Sequence, residues 1–336
     1  MLLVVTDERC IGHEAGKNHP ERPDRLVAAT TGLTDSGVAD ALVHEVPRLV
    51  TEAELLRVHE PSLVDHVVAV GEAGGGRLDP DTVMNDASLV AARLAAGSVV
   101  TAVDRLVTDP GSFAAAYCVV RPPGHHATPS QSMGFCLFNS VAVAAAALAE
   151  AGERVAIVDI DAHHGNGTQA IFFADPRVLF ASIHQSPLYP GTGRLDEVGS
   201  GAGVGTTINV ALPPGATGDV ARAAIDRVIG PAIERFGATW VLISAGYDGH
   251  RNDPITDLGY TSSDIAELVG AVTALVGRGR VVTVLEGGYD LEAIRLSSAS
   301  VTAELVGEHY RPEPATSGGP GMDIVDAAAE IHRTED

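Results

Sequence analysis

Four short polar motifs, each placed directly after an apolar run, contain the residue types that could do chemistry. The motifs are Gly124–His126, Asp159–His164, Gly246–Asp248 and Glu286–Tyr289, and the runs before them are Ala114–Val120, Arg154–Val158, Thr239–Ser244 and Arg280–Leu285. Apolar runs of this length are typical of buried strands. In an open parallel α/β sheet, ligands bind beyond the carboxyl ends of the strands. Four strands would therefore bring histidines, carboxylates and a tyrosine to one crevice, which is the inventory of a metal-dependent hydrolase.

Asp161 and His163 are the first candidate metal ligands. With Asp159 they are spaced by two, so on an extended chain all three side chains would point the same way, and Asp161 and His163 could share one cation. A single Asp or His at a strand end is more often a cap or a turn former. Two carboxylates buried side by side without a cation would, however, be strongly unfavourable. Asp248, at the end of another strand, is the candidate third ligand, and this set leaves positions for water and substrate.

His125 and His126 follow a Pro-Pro-Gly turn and are candidates for acid–base catalysis. A tandem histidine pair alone would indicate an exposed loop, but the buried strand before it favours a catalytic position. Asp159 and Asn166 are the expected hydrogen-bond partners of the two rings. Tyr289, placed by two glycines, could donate to a developing oxyanion, although a packed core tyrosine would fit the same pattern.

The remaining sequence predicts an α/β domain that positions these motifs. Apolar runs alternate with helical stretches, beginning with a strand at Leu2–Val5, as in a doubly wound sheet. The predicted helices are Val141–Ala151, Thr261 to about Gly277 and Met322–Arg333, and the predicted loops are Gly74–Gly76, Gly199–Gly205 and Arg311–Gly321. No repeat and no linker is evident, so residues 1–336 are expected to form one domain.

Composition limits the partners. The formal net charge is −22 and Lys17 is the only lysine, so we expect no nucleic-acid partner. An acidic surface would weakly attract cationic substrates, although it also serves solubility. The longest apolar run, Val141–Ala149, is far shorter than the roughly 20 residues that span a bilayer, so no membrane partner is expected. Three cysteines without a Cys-x-x-Cys pair predict a reducing cytoplasm. Oligomeric state is left open, a homo-oligomer included.

Seven longer motifs together carry a family resemblance. They are His19–Leu26, Arg121–Ala127, Gly134–Cys136, Asp159–Thr168, His184–Gly193, Ser244–Asp248 and Leu285–Tyr289. Jointly they resemble the zinc-dependent superfamily of histone deacetylases, acetoin-utilisation proteins and acetylpolyamine amidohydrolases, nearer its class II type and with a bacterial source expected. The resemblance runs from about residue 13 to residue 295. It implies the arginase/deacetylase fold, a mainly parallel eight-stranded sheet with helices on both faces, and removal of an acetyl or other short acyl group from an acylated amine.

The resemblance also implies roles in catalysis. The implied zinc ligands are Asp161, His163 and Asp248, and the implied catalytic residues are His125, His126, Asp159, Asn166 and Tyr289. His126 would be the main proton shuttle, His125 its electrostatic partner, and Tyr289 would help hold the oxyanion. An Asp/His/Asp set accepts ferrous iron as well as zinc. Asn166 stands where class I members have an aspartate, which fits the class II type.

By the same resemblance, Phe135 and Tyr189 would flank an apolar tunnel, and the carbonyl of Gly134 would bond the substrate amide. Arg25 would line an inner cavity that releases acetate. A structural monovalent cation, K⁺ or Na⁺, is implied at two sites. Their residues are Asp159, Asp161, His163, Ser182 and Ile183 for the first, and the backbone carbonyls of Phe172, Asp175 and Val178 for the second.

Ile255 bears on the choice of substrate. Polyamine-selective relatives tend to carry a glutamate near this position, where it can pair with a distant ammonium group. Isoleucine cannot form that pair, which favours an acyl-lysine type of substrate. Asp81 could substitute for the glutamate, so an acetylpolyamine or a small-molecule pathway amide is the alternative. Two rival classes are an arginase-like two-metal manganese hydrolase and a non-catalytic module that binds acylated lysine.

Overall fold

In the computed structural model, which describes residues 1–333, the core is an eight-stranded sheet in which every neighbouring pair of strands is parallel. The strands are β1 (Leu2–Val5), β2 (Leu42–Glu45), β3 (Gly75–Arg77), β4 (Val83–Asn85), β5 (Ala115–Cys118), β6 (Val155–Asp159), β7 (Val178–Gln185), β8 (Thr207–Leu212), β9 (Trp240–Ala245) and β10 (Val281–Leu285). The sheet has the order β2-β1-β5-β10-β9-β6-β7-β8, and β3 and β4 form a separate antiparallel pair.

The four strands that were predicted to deliver the polar motifs lie side by side at the centre of the sheet. These are β5, β10, β9 and β6, and every residue in them is buried. Strands buried on both faces have continuous apolar sequences rather than alternating ones, which is why these four strands could be predicted from the sequence. Because all four are parallel, their carboxyl ends meet at one edge of the sheet.

Helices cover both faces of the sheet, as expected. They are α1 (Asp24–Asp35), α2 (Glu52–Leu55), α3 (Pro61–Glu72), α4 (Ser88–Thr108), α5 (Ser140–Glu150), α6 (Asn166–Phe172), α7 (Gly218–Ala224), α8 (Gly230–Phe236), α9 (Ser262–Thr273), α10 (Leu291–Leu305) and α11 (Met322–Ile331). A π-helical turn, Ile225–Ile229, joins α7 to α8. Alternate strand residues enter two apolar layers, with Leu2 and Val4 in one and Leu3 and Val5 in the other.

The predicted helices are present with shifted ends. Asn139 caps α5 by accepting the N–H of Ala142, and Thr261 forms a capping box with Asp264 at the start of α9. α9 ends at Thr273, earlier than the expected end near Gly277. No helix in the described part of the chain is long and apolar enough to cross a membrane.

One predicted loop is wrong. Two glycines of the Gly74–Gly76 cluster, Gly75 and Gly76, belong to β3, which pairs with β4. A Cβ atom at Gly75 would lie 2.4 Å from the carbonyl oxygen of Met84, so glycine here permits close strand approach as well as a turn. The expectation of a single domain over residues 1–336 stays a prediction, and its last three residues lie outside the described part of the chain.

Candidate active site

Asp161, His163 and Asp248 form a compact cluster beyond the ends of β6 and β9. The Nδ1 atom of His163 lies 3.2 Å from a carboxylate oxygen of Asp161 and 2.9 Å from one of Asp248. All three side chains are buried. The second oxygen of each carboxylate accepts a backbone N–H, from Gly287 at 2.8 Å for Asp161 and from Ala162 at 2.9 Å for Asp248. These bonds orient the remaining oxygen of each carboxylate towards His163.

This cluster fits a single divalent cation. One donor atom from each of its three side chains lies within 4.8 Å of the other two. Zinc binds such atoms tetrahedrally at about 2.0–2.2 Å, so neighbouring ligand atoms should lie about 3.3 Å apart, close to the distances seen here. Two carboxylates buried against one imidazole also carry a negative charge that such a cation would offset. Gly287 leaves the necessary room, because a Cβ atom there would lie 2.4 Å from an oxygen of Asp248.

The extended geometry expected for Asp159–His163 is wrong. β6 ends at Asp159, and turns follow it. In each turn an aspartate accepts the N–H two residues later, Asp159 from Asp161 at 3.1 Å and Asp161 from His163 at 2.8 Å. Such local side-chain bonds compete with strand pairing. The turns leave Asp159 facing His125, while Asp161 and His163 come together in the cluster.

The tandem histidines have different partners and opposite electrostatic environments. His125 Nδ1 lies 2.9 Å from Asp159 Oδ2, and His126 Nδ1 lies 2.7 Å from Asn166 Oδ1. Burial opposes the charge on His125, but the carboxylates of Asp159 and Asp161 overcome this and raise the pKa of His125 to about 10. Burial, together with the positive charge of His125, holds the pKa of His126 well below its ordinary value. At neutral pH a charged imidazolium therefore lies beside a neutral imidazole.

The Asn166 contact also sets the tautomer of His126. Because the amide oxygen can only accept, Nδ1 of His126 carries the proton and donates it to that bond. Nε2 is then unprotonated, and His126 lines the pocket described below. This arrangement makes His126 the histidine of the pair that can accept a proton at neutral pH.

Glu286 fixes the turn that holds both histidines, and sequence reasoning assigned it no role. Its Oε2 atom accepts the N–H of Gly124 at 2.6 Å and that of His125 at 3.2 Å. Its position at the end of a central buried strand was the available signal. The bond partners lie more than a hundred residues away in the chain, so sequence spacing could not identify them.

A pocket of about 250 Å³ opens next to the candidate metal site, which is the cluster of Asp161, His163 and Asp248. It is lined by Asp81, His126, Gly134, Phe135, His163, Leu188, Tyr189, Ile255 and Tyr289. The five residues that were expected to bind substrate are thus brought together. Leu188 is an additional lining residue, and its signal was its place beside Tyr189 in a matched motif. Tyr189 and Ile255 are 38% and 36% exposed, which places them near the mouth.

The Phe135 wall of the pocket has an unusual backbone. Phe135 adopts a left-handed conformation with φ of 68°, and its N–H is held by the hydroxyl of Thr82 at 3.1 Å. The ring of His19 packs edge-on against it with centroids 4.6 Å apart. Gly134 lies against His126, since a Cβ atom there would approach the imidazole Cδ2 to 2.4 Å. The matched N-terminal motif thus helps to shape the pocket.

Tyr289 packs edge-on against Phe135, with ring centroids 5.9 Å apart. Burial raises its pKa well above the ordinary value, so the hydroxyl keeps its proton. Arg25 is buried behind it, 5.0 Å from the centre of the tyrosine ring, and is paired with Glu21 at 2.9 Å. Its other nitrogens donate to the carbonyls of Glu286 and Gly288. A role for Arg25 in an exit cavity stays a prediction.

Asp81 and Ile255 both lie on the pocket lining, so either could meet the distal part of a bound molecule. Burial, with a further contribution from the neighbouring Asp79, raises the pKa of Asp81. Its Oδ1 accepts the hydroxyl of Thr82 at 3.1 Å. The carboxylate is therefore held in place at the lining.

The residues expected to bind a monovalent cation fall into two groups. Asp159 is paired in register with Ser182 across β6 and β7, and it lies two residues before Asp161 of the candidate metal site. Phe172 ends α6, Asp175 lies in the connection that follows, and Val178 begins β7. The carbonyl of Phe172 accepts the N–H of Asp175 at 3.0 Å. Binding of K⁺ or Na⁺ at either place stays a prediction.

Comparison with known proteins agrees with this geometry. A family model described as the histone deacetylase domain matches residues 19–305. A probable deacetylase of Archaeoglobus fulgidus is 38% identical over 326 residues, covering 92% of this chain and 90% of the relative. A histone deacetylase-like amidohydrolase of Pseudomonas aeruginosa is 35% identical over 324 residues, covering 90% and 85%.

A solved structure extends the agreement to the fold. The crystal structure of the HDA15 HD domain matches with a TM-score of 0.89 at 37% identity, covering 98% of this chain and 94% of that one. The expected arginase/deacetylase fold is therefore confirmed, with a sheet that is parallel throughout rather than mainly so. By sequence match and by structure, the chain belongs to the histone deacetylase family.

Proposed function

We propose that this protein is a zinc-dependent deacetylase that hydrolyses the amide bond of an acylated amine. One observation carries the proposal: His126, Tyr289 and the candidate metal ligand His163 all line the same pocket of about 250 Å³. A proton acceptor, a hydroxyl donor and a cation site thus surround one small space. Membership of the family, and the names deacetylase and amidohydrolase given to relatives, support this class of bond.

In this proposal Asp161, His163 and Asp248 hold the zinc ion. When bound, zinc would polarise the acyl carbonyl and lower the pKa of the attacking water towards about 7. Ferrous iron is the alternative, because the same ligand types accept it. The backbone N–H groups of Gly287 and Ala162 keep the two carboxylates oriented for either metal.

In this proposal His126 carries out the proton transfers, and His125 supplies a fixed positive charge beside it. Neutral His126 takes a proton from the attacking water on Nε2 and delivers it to the leaving nitrogen. His125 stays charged through its contact with Asp159, and so stabilises negative charge that develops nearby. Asn166 keeps His126 in the required tautomer without adding a charge. Tyr289 remains protonated and donates to the oxyanion of the tetrahedral intermediate.

The substrate we favour is an amide on a long alkyl arm, of the acyl-lysine type. The aromatic walls of Phe135 and Tyr189 suit an extended apolar chain, and Gly134 would accept a bond from the amide N–H through its carbonyl. Ile255 offers no charge to a distant ammonium group. Asp81, which lines the same pocket, supports the second candidate, an acetylpolyamine or small pathway amide.

The two rival classes fit less well. An arginase-like site would need a second group of metal ligands beside the first. Among the described residues, His125, Cys136 and Glu286 are the other candidate group, but both backbone amides of the Gly124–His125 turn already use the Glu286 carboxylate. A non-catalytic binding module would not require His126 and Tyr289 beside the candidate metal site.

Turnover of a matched substrate pair tests the proposal. Acetate release by the zinc-loaded protein would be measured on an acetyl-lysine peptide and on N-acetylputrescine, with Tyr289→Phe as the blank. We expect release from both, with the peptide preferred. Preference for the polyamine would favour a carboxylate, such as that of Asp81, that pairs with the distant ammonium group. Zinc binding without acetate release from either substrate would count against deacetylation of these amine classes.

A further inference from the structure

Asp253 is a buried carboxylate that the proposed chemistry does not use. It lies in the loop after β9 and is 7% exposed. Its Oδ2 atom accepts the backbone N–H of Tyr289 at 2.7 Å, and its Oδ1 atom accepts that of Ile255 at 3.1 Å. One side chain therefore joins the backbone of the candidate oxyanion donor to that of a residue at the pocket mouth.

This position is an unfavourable one for a carboxylate. Burial raises the pKa of Asp253 to about 7, although its hydrogen bonds to backbone N–H groups oppose that rise. A buried carboxylate destabilises the fold unless hydrogen bonds replace its lost hydration. The hydrogen bonds from the backbone N–H groups of Tyr289 and Ile255 offset the cost of burying this carboxylate.

The Gly288–Tyr289 peptide unit is bonded on both sides. Asp253 accepts its N–H, and Arg25 donates to its carbonyl oxygen at 2.5 Å. Gly288 has φ of 112°, a region where only glycine is unstrained, and α10 does not begin until Leu291. The backbone that carries Tyr289 thus follows a conformationally permissive residue and precedes the regular helix. Contacts from outside the segment must fix the plane of this peptide.

We propose that Asp253 is a positioning residue that sets the direction of the Tyr289 hydroxyl. This inference rests on the proposed function, in which Tyr289 is the oxyanion donor. The phenol oxygen is remote from the backbone, so a rotation of the peptide by about 10–20° would move it beyond the roughly 0.5 Å tolerance of a productive site. Loss of the bond from Asp253 would permit such a rotation while leaving the metal ligands in place.

The test is a double-mutant cycle between Asp253 and Tyr289. Values of kcat and KM on an acetyl-lysine peptide would be measured for Asp253→Ala and Asp253→Asn, each in the wild-type and the Tyr289→Phe background. We expect Asp253→Ala to lower kcat about 10-fold to about 10²-fold, the range in which misplacement by about 1 Å falls. Asp253→Asn should lose less, because its amide oxygen still accepts one N–H.

The cycle separates positioning from a general structural effect. In the Tyr289→Phe background, Asp253→Ala should change kcat by less than about 2-fold, since the hydroxyl it positions is already gone. Equal losses in both backgrounds, or no loss in the wild type, would overturn the inference. An unchanged kcat for Tyr289→Phe itself would instead overturn the proposed oxyanion donor, and this inference with it.

Two further comparisons protect the test. Zinc content and thermal melting would be measured for every variant, and if Asp253→Ala does not fold, the near-isosteric Asp253→Asn serves in the same cycle. Asp257→Asn is the matched control, because Asp257 is an exposed carboxylate in the same loop. We expect its kcat to equal that of the wild type.

Discussion

Substituting Asn166 with Asp tests which histidine accepts the proton. The two side chains have nearly the same shape, so the change adds a negative charge 2.7 Å from Nδ1 of His126 and little else. In the wild type, burial and the charge on His125 hold the pKa of His126 well below its ordinary value. A buried carboxylate at hydrogen-bond distance should raise that pKa by about 1–3 units, or about 1.4–4 kcal/mol.

The direction of the effect on rate follows from the role of His126. Its Nε2 atom must be unprotonated to accept a proton, so activity is lost as the pH falls through its pKa. A higher pKa in Asn166→Asp should therefore move the acidic limb of kcat/KM to higher pH by the same about 1–3 units. The variant should therefore be slower than the wild type on the acidic side of the profile, and the difference should narrow as the pH rises.

The assay is kcat/KM on an acetyl-lysine peptide as a function of pH, for zinc-loaded wild type and Asn166→Asp. Asn166→Ala is the control, because it removes the acceptor without adding a charge and should not move the limb upward. An unshifted acidic limb in folded, zinc-bearing Asn166→Asp would refute the assignment of His126 as the proton acceptor.

Three further perturbations probe other parts of the site and the fold. Tyr289→Phe should lower kcat by about 10²–10³-fold with little change in KM, because it removes an oxyanion donor; a wild-type kcat would exclude Tyr289 from the mechanism. Asp81→Asn should lower kcat/KM for N-acetylputrescine by up to about 5-fold, as a solvent-accessible ion pair allows, and should spare an uncharged amide; equal losses would contradict an electrostatic role. Although burial opposes it, bonds from His250 and Ser262 lower the pKa of Glu313 to about 2, so Glu313 stabilises the folded protein above its unfolded pKa of about 4.3. Urea titrations would measure the difference in unfolding free energy between wild type and Glu313→Gln. This difference should be largest at neutral pH and should shrink as the pH falls from about 4.3 towards about 2. A difference that does not change with pH would argue against stabilisation by the Glu313 carboxylate.

Local features of the site could be predicted because they depend on the chain next to them. The strands before Asp161 and Asp248 are buried on both faces, so their apolar runs and their polar ends are visible in sequence. The turn before His125 was also legible, since prolines and glycine define it. Where a motif follows directly on a buried parallel strand, the sheet itself determines where the motif lies.

Contacts between distant segments could not be predicted. Glu286 holds the histidine turn and Asp253 holds Tyr289 through side-chain bonds to backbone N–H groups, and such bonds have no sequence period. The turns after Asp159 were missed for a related reason, because an alternating pattern suits a strand as well as successive aspartate turns. Leu188 enters the pocket only through the course of a loop.

The most direct test of the central claim is a zinc titration of chelator-treated protein, with bound metal and acetate release from an acetyl-lysine peptide measured on the same samples. Asp248→Ala, which removes one proposed ligand, is the control. We expect activity to rise in proportion to bound zinc, to reach its maximum at one zinc per chain, and to be absent in Asp248→Ala. Full acetate release by the metal-free protein, or a maximum that requires two metals per chain, would contradict a single-zinc deacetylase.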